Sequence, residues 1–168
     1  MNRFISTTLL LVGLATFTFA SERSLIEADK MIWQEARGVT TFSGTVRYRY
    51  PAKNITLLAD KLEVRRQSKK LISVIAEGNP VIFEQLAEAD KLIKGRSSHL
   101  YYDAQTEMIK LSGAAELISG NNTLRGEVIV YDVQNQTAEV SGDGQDNGRF
   151  EAIITPSSKP MKNHNDNP

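Results

Sequence analysis

The chain of 168 residues contains no cysteine and only two histidines. The absence of cysteine excludes disulfide bonds, thiolate metal sites and thiol catalysis. His99 and His164 stand far apart in the sequence, in no pattern typical of a metal site or a Ser-His-Asp triad. We therefore predict that the chain is not an enzyme and that it binds neither a metal ion nor a cofactor.

An excess of charge of one sign is also missing, because 20 basic residues balance 20 acidic residues. A neutral chain has no general attraction for the phosphates of nucleic acid. Hydrophobic residues make up 40 % of the chain and charged residues 24 %. This composition is typical of one modest globular domain.

An apolar segment lies at the amino terminus. It runs from Phe4 to Ala20, follows Arg3 and ends in small residues, which is the layout of a secretory signal peptide. We expect cleavage near Ala20; the alternative is an uncleaved membrane anchor, which needs about 20 apolar residues. Export of a chain without cysteine fits the bacterial periplasm.

The carboxyl-terminal residues 156–168 are rich in Pro, Ser, Asn and charge, and Met161 is their single apolar residue. Such a segment cannot bury enough apolar surface to offset the entropy of ordering, so we expect a disordered tail. With residues 1–20 as the signal peptide, residues 21–155 remain as one folded domain.

Within this domain the pattern is mainly that of β-strands. The stretch TVRYRY alternates, placing Val46, Tyr48 and Tyr50 on one face and Arg47 and Arg49 on the other. Residues 122–142 are rich in Val, Ile, Thr and Tyr and are interrupted by Asn and Gly, as in short strands joined by turns. Only residues 84–95 have a helix-forming composition, and they predict either a short helix or an ordered loop.

A short pattern recurs four times along residues 21–155. Each unit has a small anchor residue, apolar or aromatic residues three and five positions later, and a glycine 16 or 19 positions after the anchor. The anchors are Ala28, Ala59, Ser97 and Gly126; the apolar positions are Met31, Trp33, Leu62, Val64, Leu100, Tyr102, Ile129 and Tyr131; the glycines are Gly44, Gly78, Gly113 and Gly142.

The physics of such units predicts their assembly. A few strands with one apolar face cannot bury that face alone, so the units stack and share an interior. Small anchors let backbones approach closely, and Asp29 and Asp60, which follow two of them, suit a bulge or bend by hydrogen bonding to nearby backbone. The sequence therefore predicts an all-β, elongated roll or slab of stacked hairpins with an apolar interior.

The order and spacing of these stretches resemble the OstA-like domain of the LptA family of lipopolysaccharide transport proteins. The resemblance extends from about Ser24 to Ile154 and rests on IEADK, LLADKLEV, TTFSGTV, IAEGNPVIFEQ, IKGRSSHLYYD, IKLSGAAELI and LRGEVIVYD. It implies that residues 21–155 form a twisted, antiparallel β-jelly-roll that is open along one side. It also implies that copies stack head to tail into a periplasmic bridge that carries lipopolysaccharide from the inner to the outer membrane.

The resemblance implies four partners: lipopolysaccharide through its lipid A, further copies of the chain, an inner-membrane LptC-like protein and an outer-membrane LptD-like protein. Alternatives remain open at this point. A membrane-anchored LptC-like relative would retain residues 1–20, and a periplasmic adaptor that binds only proteins would have a packed interior. A parallel β-helix enzyme would normally need more coils and a cluster of catalytic groups.

A carrier of acyl chains needs a long apolar lining, since burying each methylene group contributes about 0.8 kcal/mol. The resemblance matches Ile26, Phe83 and Tyr102 to inward positions of the family. Strand parity adds eight residues to the predicted lining: Trp33, Phe42, Val64, Leu100, Leu111, Leu117, Ile129 and Tyr131. For each of them, ordinary core packing is an equally good interpretation.

Two basic clusters contain four arginines: Arg47, Arg49, Arg65 and Arg66. The simpler interpretation is that these side chains lie on solvated strand faces. The alternative is that they contact the phosphates of lipopolysaccharide at the rim of the groove, because guanidinium matches phosphate geometry.

An open roll leaves unpaired edge strands at both ends. Pairing the last strand, near residues 149–154, with the first strand of another copy, near residues 25–28, would give a head-to-tail array. The predicted edge residues of this oligomer are Leu25, Ile26, Phe150 and Ile153.

Overall fold

The computed structural model describes residues 23–86, 91–142 and 149–154. The predicted signal peptide and the predicted tail lie outside these residues. The described residues form ten strands: β1 Leu25–Glu27, β2 Lys30–Gln34, β3 Val39–Tyr50, β4 Ile55–Gln67, β5 Lys70–Leu86, β6 Leu92–Asp103, β7 Met108–Ser119, β8 Asn122–Asp132, β9 Thr137–Ser141 and β10 Glu151–Ile153. Two 3₁₀ turns, Glu35–Arg37 and Pro51–Lys53, precede β3 and β4. Within the described ranges, no helix has the length and apolar character needed to cross a membrane.

All ten strands belong to one antiparallel sheet, with the order β1-β3-β4-β5-β6-β7-β8-β10. The short strand β2 also pairs with β3, and β9 also pairs with β8. One edge of the sheet is therefore made by β1 and β2 together, and the other edge by β9 and β10. Among the described residues no pairing joins the two edges, so the sheet is open. The predicted all-β, antiparallel, open architecture is confirmed.

The long strands β3 to β8 are bent at one common level. Each neighbouring pair has a register shift near its middle, between Ser43 and Val46, Leu58 and Lys61, Glu77 and Val81, Arg96 and His99, and Ser112 and Ala115. Such a shift adds a residue to one strand and bends it. Because the shifts line up, the sheet folds onto itself into two halves. We call them the β1 half, which carries β1 and β10, and the β2 half, which carries β2 and β9.

The anchors of the repeat mark this bend. In β4, the inward residues Leu57 and Ala59 precede the bend, and Leu62 and Val64 follow it. The step from 59 to 62 is three residues instead of two because one residue is inserted at the bulge. The spacing seen in the sequence, an anchor followed by apolar residues three and five positions later, is therefore the imprint of a bent strand.

Carboxylates beside two anchors hold the bend. Asp29 accepts a hydrogen bond through Oδ2 from the backbone N–H of Thr45 at 3.2 Å. Asp60 accepts one through Oδ2 from the backbone N–H of Asn79 at 3.1 Å. Each donor directly follows the recurring glycine of the same unit, where the ladder is interrupted. The predicted structural role of the two aspartates is confirmed.

The two halves pack against each other through their inward faces. Val46 and Val81 from the β1 half belong to the same buried cluster as Leu62, Leu111 and Ile129 from the β2 half. All five side chains are at most 1 % exposed. Burying a side chain of this size contributes about 1.5–3 kcal/mol. Packing between the halves therefore stabilises a chain that has no disulfide bonds.

Residues 84–95 do not form the predicted helix or loop where they are described. Residues 84–86 end β5 and residues 92–95 continue the ladder in β6, with Gln85 opposite Ile93. Pairing with neighbouring strands overrides the helix propensity of the segment, because propensity is a weak preference. Residues 87–90, at the centre of that segment, lie outside the described residues.

The bend is sensitive to added volume at Gly44. Its φ is +87°, and a Cβ built there would lie 2.6 Å from the Cβ of Asp29. Gly120 has a φ of +59°, but its nearest neighbour would be Lys91 Cγ at 3.9 Å. Both Gly→Ala substitutions carry the cost of a left-handed backbone, about 1 kcal/mol or more. We expect Gly44→Ala to lower the free energy of unfolding by about 2 kcal/mol more than Gly120→Ala, because only Gly44 is overpacked.

Urea unfolding of the two variants, followed by circular dichroism, measures this difference. The double variant Asp29→Gly with Gly44→Ala removes the Cβ that the new methyl group would meet, so it should lose less stability than the sum of the two single substitutions. If Gly44→Ala and Gly120→Ala lowered the free energy of unfolding by the same amount, the contact with Asp29 would not constrain the bend.

Candidate ligand cavity

Inward-facing residues form rows that cross the sheet, because residues paired on adjacent antiparallel strands point to the same face. The first row lies in the β2 half and runs through Met31, Phe42, Leu62, Ala76, Leu100, Leu111, Ile129 and Val140. It is apolar from one edge strand to the other. This unbroken row is the structural form of the repeat detected in the sequence.

Two further rows accompany it. The second row, also in the β2 half, runs through Trp33, Thr40, Val64, Val74, Tyr102, Ile109, Tyr131 and Ala138. The third row, in the β1 half, runs through Ile26, Tyr48, Leu57, Phe83, Gly95, Leu117, Leu124 and Ala152. Every residue of the predicted lining lies on one of the three rows.

A cavity of about 260 Å³ opens between the two halves, next to β1. Its walls are mainly apolar and aromatic: Ile26, Tyr48, Tyr50, Ile55, Leu57, Leu62, Val64, Leu71, Val74, Phe83, Leu100, Tyr102, Ile109 and Val133. A pocket for a drug-sized ligand has roughly 300–1,000 Å³. The cavity therefore has room for a segment of an apolar chain rather than for a whole large lipid.

Five predicted lining residues border this cavity: Ile26, Val64, Phe83, Leu100 and Tyr102. Sequence reasoning missed most of the other wall residues. The alternation in residues 45–50 placed Tyr48 and Tyr50 on the face of Val46, but the pairing register was needed to set Tyr48 opposite Leu57 and next to Ile26.

Five other predicted residues lie in the packed part of the interior. Leu111, Leu117, Ile129 and Tyr131 are at most 2 % exposed, and Phe42 packs half-buried against them. Burial raises the pKa of Tyr131, whose hydroxyl has no hydrogen-bond partner among the described residues. Side chains from both halves fill the interior here, so these residues act as core in this structure.

Trp33 is 64 % exposed. It lies on the edge strand β2 at the end of the second row, where no further strand of the described residues covers it. Met31 at the end of the first row is also exposed, at 59 %. The inward face of the β2 half therefore reaches solvent at this edge.

Charged and polar groups also line the cavity: Ser24, Lys53, Arg66, Gln85 and Glu107. Burial raises the pKa of Tyr48, while a hydrogen bond with Ser24 and the charge of Arg66 lower it to a smaller extent. Burial likewise raises the pKa of Tyr102, and the carboxylate of Glu107 adds to this increase. Both tyrosines are neutral at physiological pH, so the charges at the cavity come from the lysine, the arginine and the glutamate.

The structure separates the four arginines of the predicted rim. Arg66 borders the cavity. Arg47, Arg49 and Arg65 are exposed and do not border the cavity. Arg49 forms an ion pair with Glu27, with 3.2 Å between nitrogen and oxygen. Arg65 forms one with Glu63 at 2.7 Å. Strand parity explains the separation for Arg47 and Arg49, because they alternate with the inward tyrosines of β3.

The predicted oligomer residues lie at the two edges of the sheet. Leu25, Phe150 and Ile153 are 46–57 % exposed, and Ile26 is half-buried against the cavity. Among the described strands, β1 pairs only with β3, and β10 pairs only with β8. No described strand pairs with the outer backbone groups of either edge strand, which are the groups that a strand of another molecule would use.

The described part of the chain contains no group of three or more His, Asp or Glu side chains that could hold a metal ion. The exposed His99 lies on the outer face of β6, opposite Glu77 and Ser112 in the ladder.

Fold and cavity together define an open β-roll protein with an apolar interior. Residues 25–137 match the family model described as LptA/(LptD N-terminal domain) LPS transport protein, and the chain belongs to this family. The resemblance stated from the sequence is confirmed.

Individual relatives agree with this assignment. The chain is 30 % identical to the lipopolysaccharide export system protein LptA of Haemophilus influenzae over 135 residues, which cover 79 % of this chain and 76 % of that protein. It is 26 % identical to LptA of Escherichia coli K12 over an alignment of 171 residues, which covers 98 % of this chain and 89 % of that protein.

A solved structure shares the fold. It is the crystal structure of LptH, the LptA-homologous periplasmic component of the lipopolysaccharide transport device of Pseudomonas aeruginosa. The TM-score is 0.71 at 23 % identity, and the match covers 80 % of this chain and 96 % of that chain.

Core and cavity wall should respond differently to truncation of a side chain. Ile129 is fully buried and Leu71 is 39 % exposed at the cavity. We expect Ile129→Ala to lower the free energy of unfolding by about 2–4 kcal/mol, because it leaves a void in packed surroundings. Leu71→Ala should cost less than about 1 kcal/mol. Urea unfolding measures both, and similar losses would show that the cavity wall is packed like the core.

Proposed function

We propose that the chain is a carrier of lipopolysaccharide that shields the acyl chains of lipid A in its apolar interior. The observation that carries the proposal is the continuity of the first row, which is apolar across eight strands and leads past the cavity. Family membership and the names of the relatives, which are lipopolysaccharide export proteins, support the choice of ligand.

Apolar contact is sufficient to hold such a ligand. Each buried methylene contributes about 0.8 kcal/mol, so one chain of a dozen carbons gains on the order of 10 kcal/mol before the costs of binding. The cavity accommodates only part of this length. Among the described residues, no strand pairing joins the two edges of the sheet along the open side. We propose that the two halves move apart there, without breaking the ladder, to admit the rest of the acyl chain. The packed residues Leu111, Leu117, Ile129 and Tyr131 would then join Ile26, Val64, Phe83, Leu100 and Tyr102 as lipid contacts.

We further propose head-to-tail association through the sheet edges. Strands β9 and β10 of one copy would pair with β2 and β1 of the next copy. The first row ends in Met31 at one edge and Val140 at the other, and the third row ends in Ile26 and Ala152. A second copy would therefore continue apolar rows and cover Trp33. The described edge strands, with the exposed Leu25, Phe150 and Ile153, support this arrangement.

The same proposal places the protein in the periplasm as a bridge between the two membranes. Residues 1–20 would be the signal peptide, cleaved near Ala20, and residues 21–155 the transport domain. An LptC-like inner-membrane partner and an LptD-like outer-membrane partner would offer edge strands of the same kind. The description of LptH as a periplasmic component supports the location. The relatives are named as export proteins, which supports transport without catalysis.

Photo-crosslinking tests the lipid path. A photoreactive residue in place of Tyr102 faces the cavity, and one in place of Tyr101 faces outward from the same strand. We expect purified protein incubated with lipopolysaccharide to give an adduct at position 102 and little or none at position 101. Arg49 supplies a second outward position.

An adduct of equal yield at positions 101 and 102 would mean binding to the outer surface. No adduct at any position, from a folded sample, would favour a periplasmic adaptor that binds only proteins.

Truncation tests the head-to-tail contact. A chain that ends at Ile154 keeps β10, and a chain that ends at Arg149 lacks it. Because β10 forms one edge, we expect only the longer chain to form oligomers whose size rises with concentration in sedimentation experiments. A longer chain that stays monomeric at high concentration would contradict the proposed contact.

A further inference from the structure

The bend in β4 brings two distant cations to one cavity. Lys53 lies in the 3₁₀ turn before β4, and Arg66 lies near the end of that strand. An unbent strand would hold them far apart, since each residue of a strand adds about 3.3 Å. The register shift between Leu58 and Lys61 folds β4 instead, and both side chains line the same cavity.

Backbone hydrogen bonds fix both positions. The N–H of Arg66 donates to the carbonyl of Gly38 at 2.7 Å. The turn that carries Lys53 is closed by the N–H of Asn54, which donates to the carbonyl of Pro51 at 3.1 Å. Neither Lys53 nor Arg66 forms an ion pair with another described residue, although six such pairs occur elsewhere in the described part.

One carboxylate also lines the cavity. Glu107 lies in the turn between β6 and β7, two strands away from β4 in the sheet. It forms no ion pair with Lys53 or Arg66 among the described contacts, and it faces Tyr102, whose pKa it raises. The positive side of the cavity is therefore the β3–β4 side, and its two cations are not neutralised there.

We propose that Lys53 and Arg66 bind the phosphate of a lipid headgroup while the lipid's acyl chain enters the cavity below them. This inference rests on the proposed carrier function and locates the polar part of the ligand. Guanidinium and ammonium groups form charge-assisted hydrogen bonds with phosphate oxygens. The site differs from the rim expected from the sequence, because it uses one of the four arginines and adds a lysine.

The apolar floor favours a lipid phosphate over free phosphate. Leu62, Val64 and Val74 line the same cavity as the two cations. A free anion would satisfy the charges and leave this floor in contact with water. A phosphorylated lipid matches both parts, so its headgroup and chain bind together.

The test compares two ligands and three proteins. The ligands are lipid A with its phosphates and the same lipid after enzymatic dephosphorylation. The proteins are the unsubstituted chain, the double variant Lys53→Gln with Arg66→Gln, and the control Arg47→Gln with Lys110→Gln, which removes two outward charges. Circular dichroism verifies folding. Affinity is measured by native mass spectrometry and by competition with a fluorescent fatty acid.

We expect the double variant to bind phosphorylated lipid at least about tenfold more weakly than the unsubstituted chain. Dephosphorylated lipid should bind all three proteins within about twofold, and the control should match the unsubstituted chain with both ligands. Inorganic phosphate should compete only at concentrations far above those of the lipid.

Equal binding of phosphorylated lipid by the double variant and the control would overturn the phosphate site while leaving the carrier function intact. Failure of the unsubstituted chain to bind either lipid would instead contradict the carrier function. Tight binding of inorganic phosphate that depends on Arg66, without discrimination between the two lipids, would assign the site to free phosphate.

Discussion

The bend shared by the long strands is the constraint on which the rest of the structure depends. A flat sheet of this width would leave a whole apolar face in water, whereas the aligned register shifts let one sheet supply both walls of its own interior. The bend needs a backbone conformation at Gly44 that other residues rarely adopt, and a carboxylate at Asp29 to satisfy the interrupted ladder. The cavity, the core and the positions of the sheet edges all depend on this bend.

In the proposed carrier, the interior would serve two purposes that compete for the same side chains. Close packing around Leu111 and Ile129 stabilises a chain that has no disulfide, and a lipid carrier must give up some packing to admit its ligand. In the structure, the filled region around Leu111, Leu117 and Ile129 lies beside a cavity next to β1, and some residues, such as Leu62 and Leu100, belong to both. In the proposed carrier, the free energy lost when the two halves separate would set a lower limit on the binding free energy that the acyl chain must provide.

Much of this fold could be predicted from the sequence, because a period of two and a recurring small anchor report directly on strand faces and bulges. The same reasoning failed at residues 84–95, where tertiary pairing outweighs local helix propensity. The three rows needed the pairing register, which no single stretch contains. Parity alone could not distinguish Ile129, which packs in the core, from Val64, which also borders the cavity. Nor could it show that Lys53 and Arg66 line the same cavity. Those facts depend on how far apart the two halves lie.

The link between β1 and β2 is only two residues long, Ala28 and Asp29, and Asp29 is fixed by its hydrogen bond to Thr45. The edge strands of both halves therefore cannot slide independently. Two strands of an incoming copy must therefore pair in register with β1 and with β2 at the same time. If one of them shifted by two residues along β1, the other would be out of register with β2. The angle between successive copies, and hence the pitch of a growing array, would therefore depend on the geometry of this short connection.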